Sequence, residues 1–379
     1  MPESSLAPWR AWLASPLSSD VVAAIDRLRR APDVRRVAVM PDVHLGPDVC
    51  VGVAVATADA IYPQAVGGDI GCGMLAVAFD VDAGPLADPA TAARTLVAIG
   101  SAVPARRRNR SATVGQPASV AATSLSDPGL DAVRRRDGVL EFATLGSGNH
   151  FIELQADADE RLWLMIHSGS RAVGPAIRDA HLARAAPAGQ GLRVLDGTSD
   201  AGAAYLHDAA WARGYADASR RAMADAVETA IAPLVGGRLA WTTVIASDHN
   251  HVVREHHEGR ACFIHRKGAM PAGRGVAGVV PGSMGTASAH VEGRGHPDSL
   301  ASSAHGAGRT LSRSAARARI GERDLRRQLA GVWFDVRLAD RLRDEAPAAY
   351  KDIHAVLRAQ ADLASVTRIV RPLLTYKGT

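Results

Sequence analysis

The sequence predicts an α+β fold in a single compact domain, with mixed β-sheets flanked by helices. Stretches typical of strands and helices alternate irregularly, without the even spacing that a βαβ series would give. The sequence shows no internal repeat of fixed period. No change of composition divides the 379 residues into separate parts. We therefore predict one domain over residues 1–379.

The predicted elements follow from local patterns of apolar residues. Ser19-Asp20 is typical of a helix start, and Val22, Ile25 and Leu28 recur on one face of that helix. Apolar and β-branched runs predict strands at 36–40, 51–57, 74–81, 150–154, 162–166, 241–245, 261–265 and 366–374. Further helices are predicted at 89–99, 201–232, 322–329 and 346–361, with a break at Gly214.

Residues 104–137 are predicted to form an Arg-rich surface loop. Two arginine-rich runs, 106–110 and 134–136, flank a middle part rich in Ser, Thr and Pro. A solvated loop is the favoured interpretation of such charge runs. The alternative is an arm that contacts the backbone of a nucleic acid.

The composition permits a polyanionic partner without requiring one. The net charge is +5, and 47% of the residues are hydrophobic, as in ordinary globular proteins. Aromatic residues make up only 4% of the chain, which argues against a platform that stacks bases. Three cysteines are too few for a disulfide scaffold, and the N-terminus lacks the pattern of a signal peptide. We therefore expect a cytoplasmic protein.

Lysine is rare in this chain. Of 44 basic residues only Lys267, Lys351 and Lys377 are lysines. Because Arg and Lys differ in geometry and hydration, these exceptions can mark places where a guanidinium will not serve. For Lys351, chance placement on the surface is an equally good interpretation.

Several short motifs place metal-ligating side chains beside glycine or at strand ends. Asp69 and Cys72 lie three residues apart in the glycine-rich turn 68–73, so both side chains can face one cleft. His150, His167 and His249 stand at or next to predicted strand ends. One carboxylate, one thiolate and three imidazoles exceed the needs of a closed zinc site and suit two ions that share a ligand. These residue types do not choose between Mn²⁺ and Zn²⁺.

Two further motifs suit a nucleotide. Residues 281–288 are small or carry hydroxyls, so this run can wrap around a base or a phosphate. His305 is followed by the small residues Gly306, Ala307 and Gly308, which would let a triphosphate approach the ring. Two arginines that could neutralise phosphate come next in the chain, at Arg309 and Arg313. The imidazole of His305 could attack phosphorus or bind a metal, and the residues alone favour neither role.

In this order, from Met40 to Lys377, the motifs resemble those of the RtcB family of RNA ligases. The resemblance implies two Mn²⁺ ions at the five ligands, with Cys72 as the bridge, and His305 as the residue that becomes guanylylated. It implies that Arg171 and Lys267 face phosphate. It also implies a GTP site that contains, besides His305 and the small residues after it, Asn149, Glu153, Ser283, Ser288 and Lys377.

The activity implied by the resemblance is a GTP- and Mn²⁺-dependent RNA ligase acting in tRNA splicing or RNA repair. Such an enzyme joins RNA 3′-phosphate or 2′,3′-cyclic phosphate ends to 5′-hydroxyl ends through a histidine–GMP intermediate, in some cases with an activating protein. Two alternatives stay open: a paralogue that activates or processes 3′-phosphate ends without sealing them, and a non-catalytic, metal-stabilised RNA-binding protein.

The chain departs from the family pattern at two places. Pro47-Asp48 follows the motif that contains Asp42 and His44, where the family usually has a further glycine. The second departure is His251, because the family motif centres on a His-Asn pair, which His249-Asn250 matches, and His251 lies outside that pair. Asp42 and His44 are predicted to support the metal ligands from outside the first shell, whereas the roles of Asp48 and His251 are left open.

Overall fold

The computed structural model describes residues 6–378, and these residues form two main β-sheets with helices packed against them. The strands are β1 (Trp9–Ala11), β2 (Val34–His44), β3 (Val51–Thr57), β4 (Ala60–Ile61), β5 (Gly73–Asp82), β6 (Phe151–Ala156), β7 (Arg161–Ser168), β8 (Ala186–Gly189), β9 (Leu192–Asp196), β10 (Ile245–Asp248), β11 (Asn250–His257), β12 (Arg260–Lys267), β13 (Ala269–Pro271), β14 (Ala277–Val280), β15 (Ser288–Gly293), β16 (Ser302–Ala304) and β17 (Ala364–Lys377).

The helices vary widely in length. The α-helices are α1 (Ser19–Arg29), α2 (Pro89–Ala102), α3 (Ala118–Ala121), α4 (Pro128–Val133), α5 (Val139–Glu141), α6 (Val173–Arg184), α7 (Asp200–Val235), α8 (Arg313–Arg319), α9 (Glu322–Gln328) and α10 (Ile353–Ala359). Short 3₁₀ turns lie at Pro63–Ala65, Gly84–Ala87, Arg110–Ala112, Trp241–Thr243, Pro297–Ser299, Val336–Leu338, Arg343–Glu345 and Pro347–Ala349, and a π-helical turn lies at Arg134–Gly138.

The larger sheet has seven strands in the order β10-β5-β7-β6-β17-β15-β14, and all neighbouring pairs are antiparallel. A second sheet has the order β1-β2-β3-β12-β11, with only the β1–β2 pair parallel. Two small sheets, β13-β16 and β4-β9-β8, lie beside them. Antiparallel sheets with unevenly distributed helices confirm the predicted α+β class.

The main hydrophobic core joins the seven-stranded sheet to α2 and to the long helix α7. The predicted break of α7 at Gly214 is wrong, because the helix continues for 36 residues. A glycine inside a helix costs only about 1 kcal/mol relative to alanine. Burial of Trp211, Tyr215 and Met223 on the sheet outweighs that cost. The helix ends at Gly236, whose positive φ of 82° suits glycine.

Other boundaries also differ from the sequence prediction. The cap of α1 is Ser18, whose Oγ accepts a hydrogen bond from the Val21 N–H, and the buried face includes Val21 rather than Val22. The predicted strand at 241–245 is wrong, since a 3₁₀ turn occupies Trp241–Thr243 and β10 begins afterwards. The helix predicted at 346–361 begins only at Ile353, after the 3₁₀ turn that starts at Pro347.

Residues 104–137, predicted as an Arg-rich surface loop, contain short helices. α3, α4 and most of the π-helical turn lie within this segment. Arg134 is buried and its Nε donates to Asp131 at 2.6 Å. Within residues 6–378, no helix is both long enough and apolar enough to cross a lipid bilayer.

Candidate metal and nucleotide site

The predicted metal ligands meet at one edge of the seven-stranded sheet because of the pairing of its strands. Cys72 immediately precedes β5, His150 precedes β6, and His249 follows β10. His167 is the next-to-last residue of β7, where it pairs with Met74 near the start of β5 and with Phe151 at the start of β6. In an antiparallel sheet, the N-terminal end of one strand lies beside the C-terminal end of its neighbour, so these residues meet at the same end of the strands. Asp69 reaches this edge from the turn before β5.

The ligand atoms form two sets of three that share the Cys72 thiol. Asp69, Cys72 and His150 make one set, Cys72, His167 and His249 make the other, and atoms within a set lie within 4.8 Å of one another. Cys72 Sγ lies 3.6 Å from His150 Nε2 and 3.2 Å from His167 Nε2. His150 Nε2 lies 2.9 Å from Asp69 Oδ2. Ligands of one tetrahedral ion are roughly 3.5 Å apart, so this donor set fits two ions with a bridging thiolate.

Backbone carbonyls fix which imidazole nitrogens face the ligand sets. His150 Nδ1 donates to the Leu145 carbonyl at 3.0 Å, and His167 Nδ1 donates to the Asn149 carbonyl at 3.1 Å. Arg171 also approaches His150 Nδ1 at 3.3 Å, but a guanidinium can only donate. When the Nδ1 proton of His150 is donated to the Leu145 carbonyl, Nε2 carries no proton and keeps a lone pair that can bind a metal. Both rings are thus oriented as metal ligands usually are.

The electrostatics of the cluster favour the neutral forms of two of its imidazoles, those of His167 and His249. Burial lowers the pKa of His167 and His249 well below the usual value, and the neighbouring imidazoles lower it further. Burial disfavours the charge of Asp69, but the close contact with the His150 ring and the nearby Arg171 hold the pKa of Asp69 at about 2. Burial and the nearby Asp69 raise the pKa of Cys72. The thiol therefore needs a bound cation to ionise, which couples its deprotonation to metal binding.

Close backbone packing holds the Asp69 turn in place. A Cβ on Gly169 would lie 2.1 Å from Asp69 Oδ1, so no larger residue fits there. Asn250 donates to the Asp69 carbonyl at 3.1 Å and accepts from the Gly268 N–H at 2.9 Å. The buried Arg220 donates to the Gly71 carbonyl at 2.9 Å. The ligand positions are therefore set by the surrounding fold rather than by a mobile loop.

A cavity of about 1240 Å³ opens beside the ligand sets. All three lysines of the chain, Lys267, Lys351 and Lys377, contribute to its wall. So do most of the residues predicted to bind metal, nucleotide or phosphate: Asp69, Cys72, Asn149, Glu153, His167, His249, Ser283, Ser288, His305, Gly306, Ala307, Gly308, Arg309 and Arg313. His150 and Arg171 lie behind this wall, in contact with each other.

One end of the cavity carries two buried carboxylates and a lysine. Glu153 accepts hydrogen bonds from Gln155 at 2.6 Å and from Thr375 at 2.8 Å. Burial raises the pKa of Glu153 to about 8, although these hydrogen bonds and Lys377 oppose the shift. Lys377 forms a buried ion pair with Glu345 and lies over the Phe151 ring, 5.8 Å from its centroid.

The loop 281–288 lines the same cavity. Ser283 Oγ and Thr286 Oγ1 are 2.9 Å apart, and the buried Ser288 hydroxyl accepts from the Gly282 N–H at 3.1 Å. A Cβ on Gly282 would lie 2.2 Å from the Ala287 carbonyl oxygen. The loop is therefore a tight, preformed turn with hydroxyls on its inner side.

His305 stands next to the metal ligands, with its ring centroid 4.6 Å from that of His249. Its Nδ1 lies 2.6 Å from Oδ2 of the fully buried Asp42, and its backbone N–H donates to the same oxygen at 3.1 Å. The Nδ1 approach is close but is not aligned as a hydrogen bond. Because Asp42 covers the Nδ1 side, Nε2 is the nitrogen available to the cavity. Asp42, predicted from the sequence to support the metal ligands, thus contacts His305.

Lys351 fixes the segment that carries Asp42. Its Nζ donates to the carbonyls of Pro41 and Val43, at 2.9 and 2.8 Å, on either side of Asp42. His44 follows this segment, and its Nδ1 lies 2.9 Å from the Asp42 carbonyl. The rarity of lysine was the only sequence pattern that marked Lys351.

The residues predicted to face phosphate are engaged with protein groups. Lys267 donates to the carbonyls of Pro47 and Gln64, and burial lowers its pKa to about 8. Arg309 donates to the Asp344 carbonyl at 2.5 Å. Arg313 donates to the carboxylates of Asp344 and Glu345, at 2.8 and 2.7 Å.

Glu345 is a site residue that sequence reasoning missed. It sits in an ordinary acidic stretch, and only the fold brings it against Lys377, Arg313 and the Tyr350 hydroxyl. His251 and Asp248 lie 3.1 Å apart and pair with Arg266 and Arg213 outside the ligand sets. They support the strand ends rather than the cavity.

The chain is similar to known proteins over most of its length. The family model described as tRNA-splicing ligase RtcB matches residues 24–126 and 119–378. The RNA-splicing ligase RtcB of Escherichia coli K12 is 34% identical, with 98% of each chain covered. RNA-splicing ligase RtcB2 of Escherichia coli ATCC 25922 is 28% identical over 92% of this chain and 89% of its own length. RNA-splicing ligase RtcB of Mycobacterium tuberculosis H37Rv is 33% identical over 66% and 69%, respectively.

Proposed function

Because this chain belongs to the RtcB family of tRNA-splicing ligases, we propose that it is an RNA ligase that uses GTP and Mn²⁺. It would join RNA 3′-phosphate or 2′,3′-cyclic phosphate ends to 5′-hydroxyl ends, as in tRNA splicing or RNA repair. The observation that carries the proposal is the position of His305. Its ring lies against His249 of one ligand set and lines the same cavity as Glu153 and Lys377.

Asp69, Cys72 and His150 would hold one Mn²⁺ ion, and Cys72, His167 and His249 the other. The ions would supply positive charge that offsets the negative charge developing on phosphate oxygens and on the leaving pyrophosphate. The carboxylate oxygen suits Mn²⁺, whereas the thiolate suits a softer ion, so the donor set accepts Mn²⁺ without demanding it.

His305 is the proposed nucleophile. Nε2 attacks the α-phosphorus of GTP, a P–N bond forms, and the bond to the β-phosphate breaks to release pyrophosphate. Asp42 orients the ring and stabilises the positive charge that develops on it, as a carboxylate does for a catalytic imidazole. Lys351 keeps Asp42 in position through the two carbonyls beside it.

Recognition of guanine is proposed at the end of the cavity that holds Glu153. An ionised Glu153 can accept from both the N1 and N2 donors of guanine, whereas adenine presents an acceptor at N1 and would leave the buried carboxylate unpaired. Lys377, Ser283 and Ser288 would surround the base. Asn149 and the backbone of residues 306–308 would contact the phosphates.

The nucleotide then passes from His305 to the RNA 3′-phosphate, and a cyclic phosphate is first opened to that form. The 5′-hydroxyl attacks the activated 3′ end, a phosphodiester forms, and GMP leaves. Arg171, Lys267, Arg309 and Arg313 are the proposed phosphate contacts. For Arg309 and Arg313 this role requires exchange of their present contacts with 344–345 for phosphate oxygens. Lys267 would likewise exchange its two carbonyl partners, and Arg171 would move from its place beside His150 into the cavity.

A two-stage labelling experiment tests the proposal. The protein is incubated with α-labelled GTP and Mn²⁺, and the labelled protein is then given RNA with defined ends. Label on the protein, transfer to a 3′-phosphate, and sealing to a 5′-hydroxyl strand are the expected results. Transfer without sealing would support the end-activating alternative, and the absence of label on the protein would contradict the proposed function.

A further inference from the structure

Residues 104–137 are a short part of the chain with a net positive charge. Residues 104–137 contain seven arginines and three aspartates, for a net charge of +4, whereas the whole chain has +5. Arginine content alone carries little information here, because this chain uses arginine for almost every basic residue. The imbalance between arginine and acid is the informative quantity, since it sets the local electrostatic potential.

The arginines of this segment divide into inward and outward groups. Arg108 donates to the carbonyls of Ala102 and Ala143, and Arg134 is buried on Asp131, so both serve the fold. The other five are exposed to solvent, and we call them the arginine ledge: Arg106, Arg107, Arg110, Arg135 and Arg136.

The ledge has few internal partners. Among residues 6–378, none lies within ion-pair or hydrogen-bond distance of the side chains of Arg106, Arg107 and Arg110. Arg135 pairs with Asp131 and Arg136 with Asp137, but both arginine side chains keep 65% exposure. Such exposed pairs are weak and can be exchanged for another anion.

In a second arginine-rich stretch of the chain, a larger share of the arginines is paired. Residues 313–345 contain nine arginines and six acidic residues. Six of these arginines form ion pairs within the stretch. The net charge of that stretch, +3, is similar, so the difference lies in pairing: six of its nine arginines have a carboxylate partner, against three of seven in residues 104–137.

Part of the ledge lines an open groove, and the segment before the ledge is hydrogen-bonded to the loop that leads to the cavity. Arg110, Arg135 and Arg136 line a groove of about 530 Å³. The segment before the ledge is bonded to the loop that leads to the metal ligands, through Leu145 N–H to the Pro104 carbonyl at 3.0 Å and Gly146 N–H to the Ala105 carbonyl at 3.1 Å. From Gly146 only three residues, at most about 11 Å of extended chain, lead to Asn149 at the cavity.

We propose that the arginine ledge binds the phosphate backbone of the RNA strand whose end enters the cavity. The inference rests on the proposed function, because it takes RNA as the substrate. Guanidinium groups bind phosphate oxygens bidentately. The ledge contains no aromatic side chain, so its contacts read the backbone and not the bases. Because the ledge segment is hydrogen-bonded to Gly146, an RNA strand bound to the ledge is held in a fixed position relative to the site where its end reacts.

The test compares two triple variants that lose the same charge. The ledge variant carries Arg106→Gln, Arg107→Gln and Arg110→Gln. The control variant carries Arg35→Gln, Arg337→Gln and Arg358→Gln, three exposed arginines outside the cavity wall. The probe is a 20-nucleotide single-stranded RNA with a 3′-phosphate, titrated by fluorescence anisotropy from 50 to 300 mM NaCl without GTP. Self-labelling by α-labelled GTP and Mn²⁺ is measured on the same preparations.

For the ledge variant we expect RNA affinity at 50 mM salt to fall by about tenfold or more. The slope of log affinity against log salt should fall in magnitude by about 2, because three contacts to single-stranded phosphates contribute roughly 0.7 each. Its self-labelling should match the wild type. The control variant should change neither quantity by a comparable amount.

Two outcomes would overturn the proposal. RNA affinity and salt slope unchanged in the ledge variant would mean that the ledge serves another partner, such as an acidic protein. Equal losses in both triple variants would mean that only overall charge matters. Failure of the proposed ligase function is distinguishable, because it would appear as missing self-labelling in the wild type, whatever the RNA affinity.

Discussion

Replacement of Cys72 by alanine should release both metal ions, because its thiol is the one ligand atom that the two sets share. Each set would fall from three protein ligands to two. Loss of a partner outside the first shell already costs 10–100-fold in metal affinity. Loss of a shared direct ligand should therefore raise both dissociation constants by at least about 100-fold. Asp69→Ala and His249→Ala each affect one set only.

The assay is metal content by inductively coupled plasma mass spectrometry after equilibration with Mn²⁺ and gel filtration. We expect about two ions per chain for the wild type, about one for Asp69→Ala and for His249→Ala, and nearly none for Cys72→Ala. Cys262→Ala is the matched control, because it removes another buried thiol, on β12, without touching either set. Wild-type metal content in Cys72→Ala would refute the shared-ligand geometry.

Three further predictions follow from contacts in the site. Asp42→Asn should slow guanylylation by roughly 10²–10⁴-fold without loss of metal, because the ring of His305 loses its charged partner. Affinity for GTP should rise with pH up to about 8, because burial raises the pKa of Glu153 to about 8 and the carboxyl must lose its proton before guanine binds. The expected gain in affinity is at most about tenfold per pH unit. Calorimetry measures it, and the Glu153→Gln variant should not show it. Gly169→Ala should displace Asp69 and remove about one metal ion, because the new Cβ would lie 2.1 Å from the carboxylate.

Each of these predictions has its own contradicting result. Metal loss in Asp42→Asn would mean that this residue supports the ligands and not the nucleophile. Equal labelling of the wild type by GTP and ATP would rule out Glu153 as the guanine acceptor. For Gly169→Ala the control is Gly115→Ala, whose Cβ meets no atom within 4 Å. Identical metal contents for the two glycine variants would contradict the packing argument.

Elements with a dense local pattern could be predicted from the sequence. Apart from the strands on either side of His249, which do not match, β3 matches its prediction at both ends, and β5, β6 and β7 lie within two residues of their predicted places. Their apolar, β-branched composition leaves no competing element. The ligand types at those strand ends were visible too, but their common edge depends on antiparallel pairing between distant segments.

Features set by tertiary packing could not be predicted in this way. Gly214 suggests a helix break locally, yet the core on which α7 packs keeps the helix continuous. Glu345 and Lys351 lie in unremarkable polar stretches. Their functions arise from contacts with residues more than 30 positions away, Lys377 and the Asp42 segment, which no local pattern encodes.

The most direct test of the account is whether His305 carries the nucleotide while the five ligands hold the metal. His305→Ala is equilibrated with Mn²⁺, incubated with α-labelled GTP, and assayed for metal content and acid-labile, alkali-stable label, the behaviour of a phosphoramidate. The account predicts about two ions per chain and no label, together with retained sealing of RNA whose 3′ end is already guanylylated. Label at another residue, or loss of metal from His305→Ala, would contradict the assignment of His305 as the nucleophile.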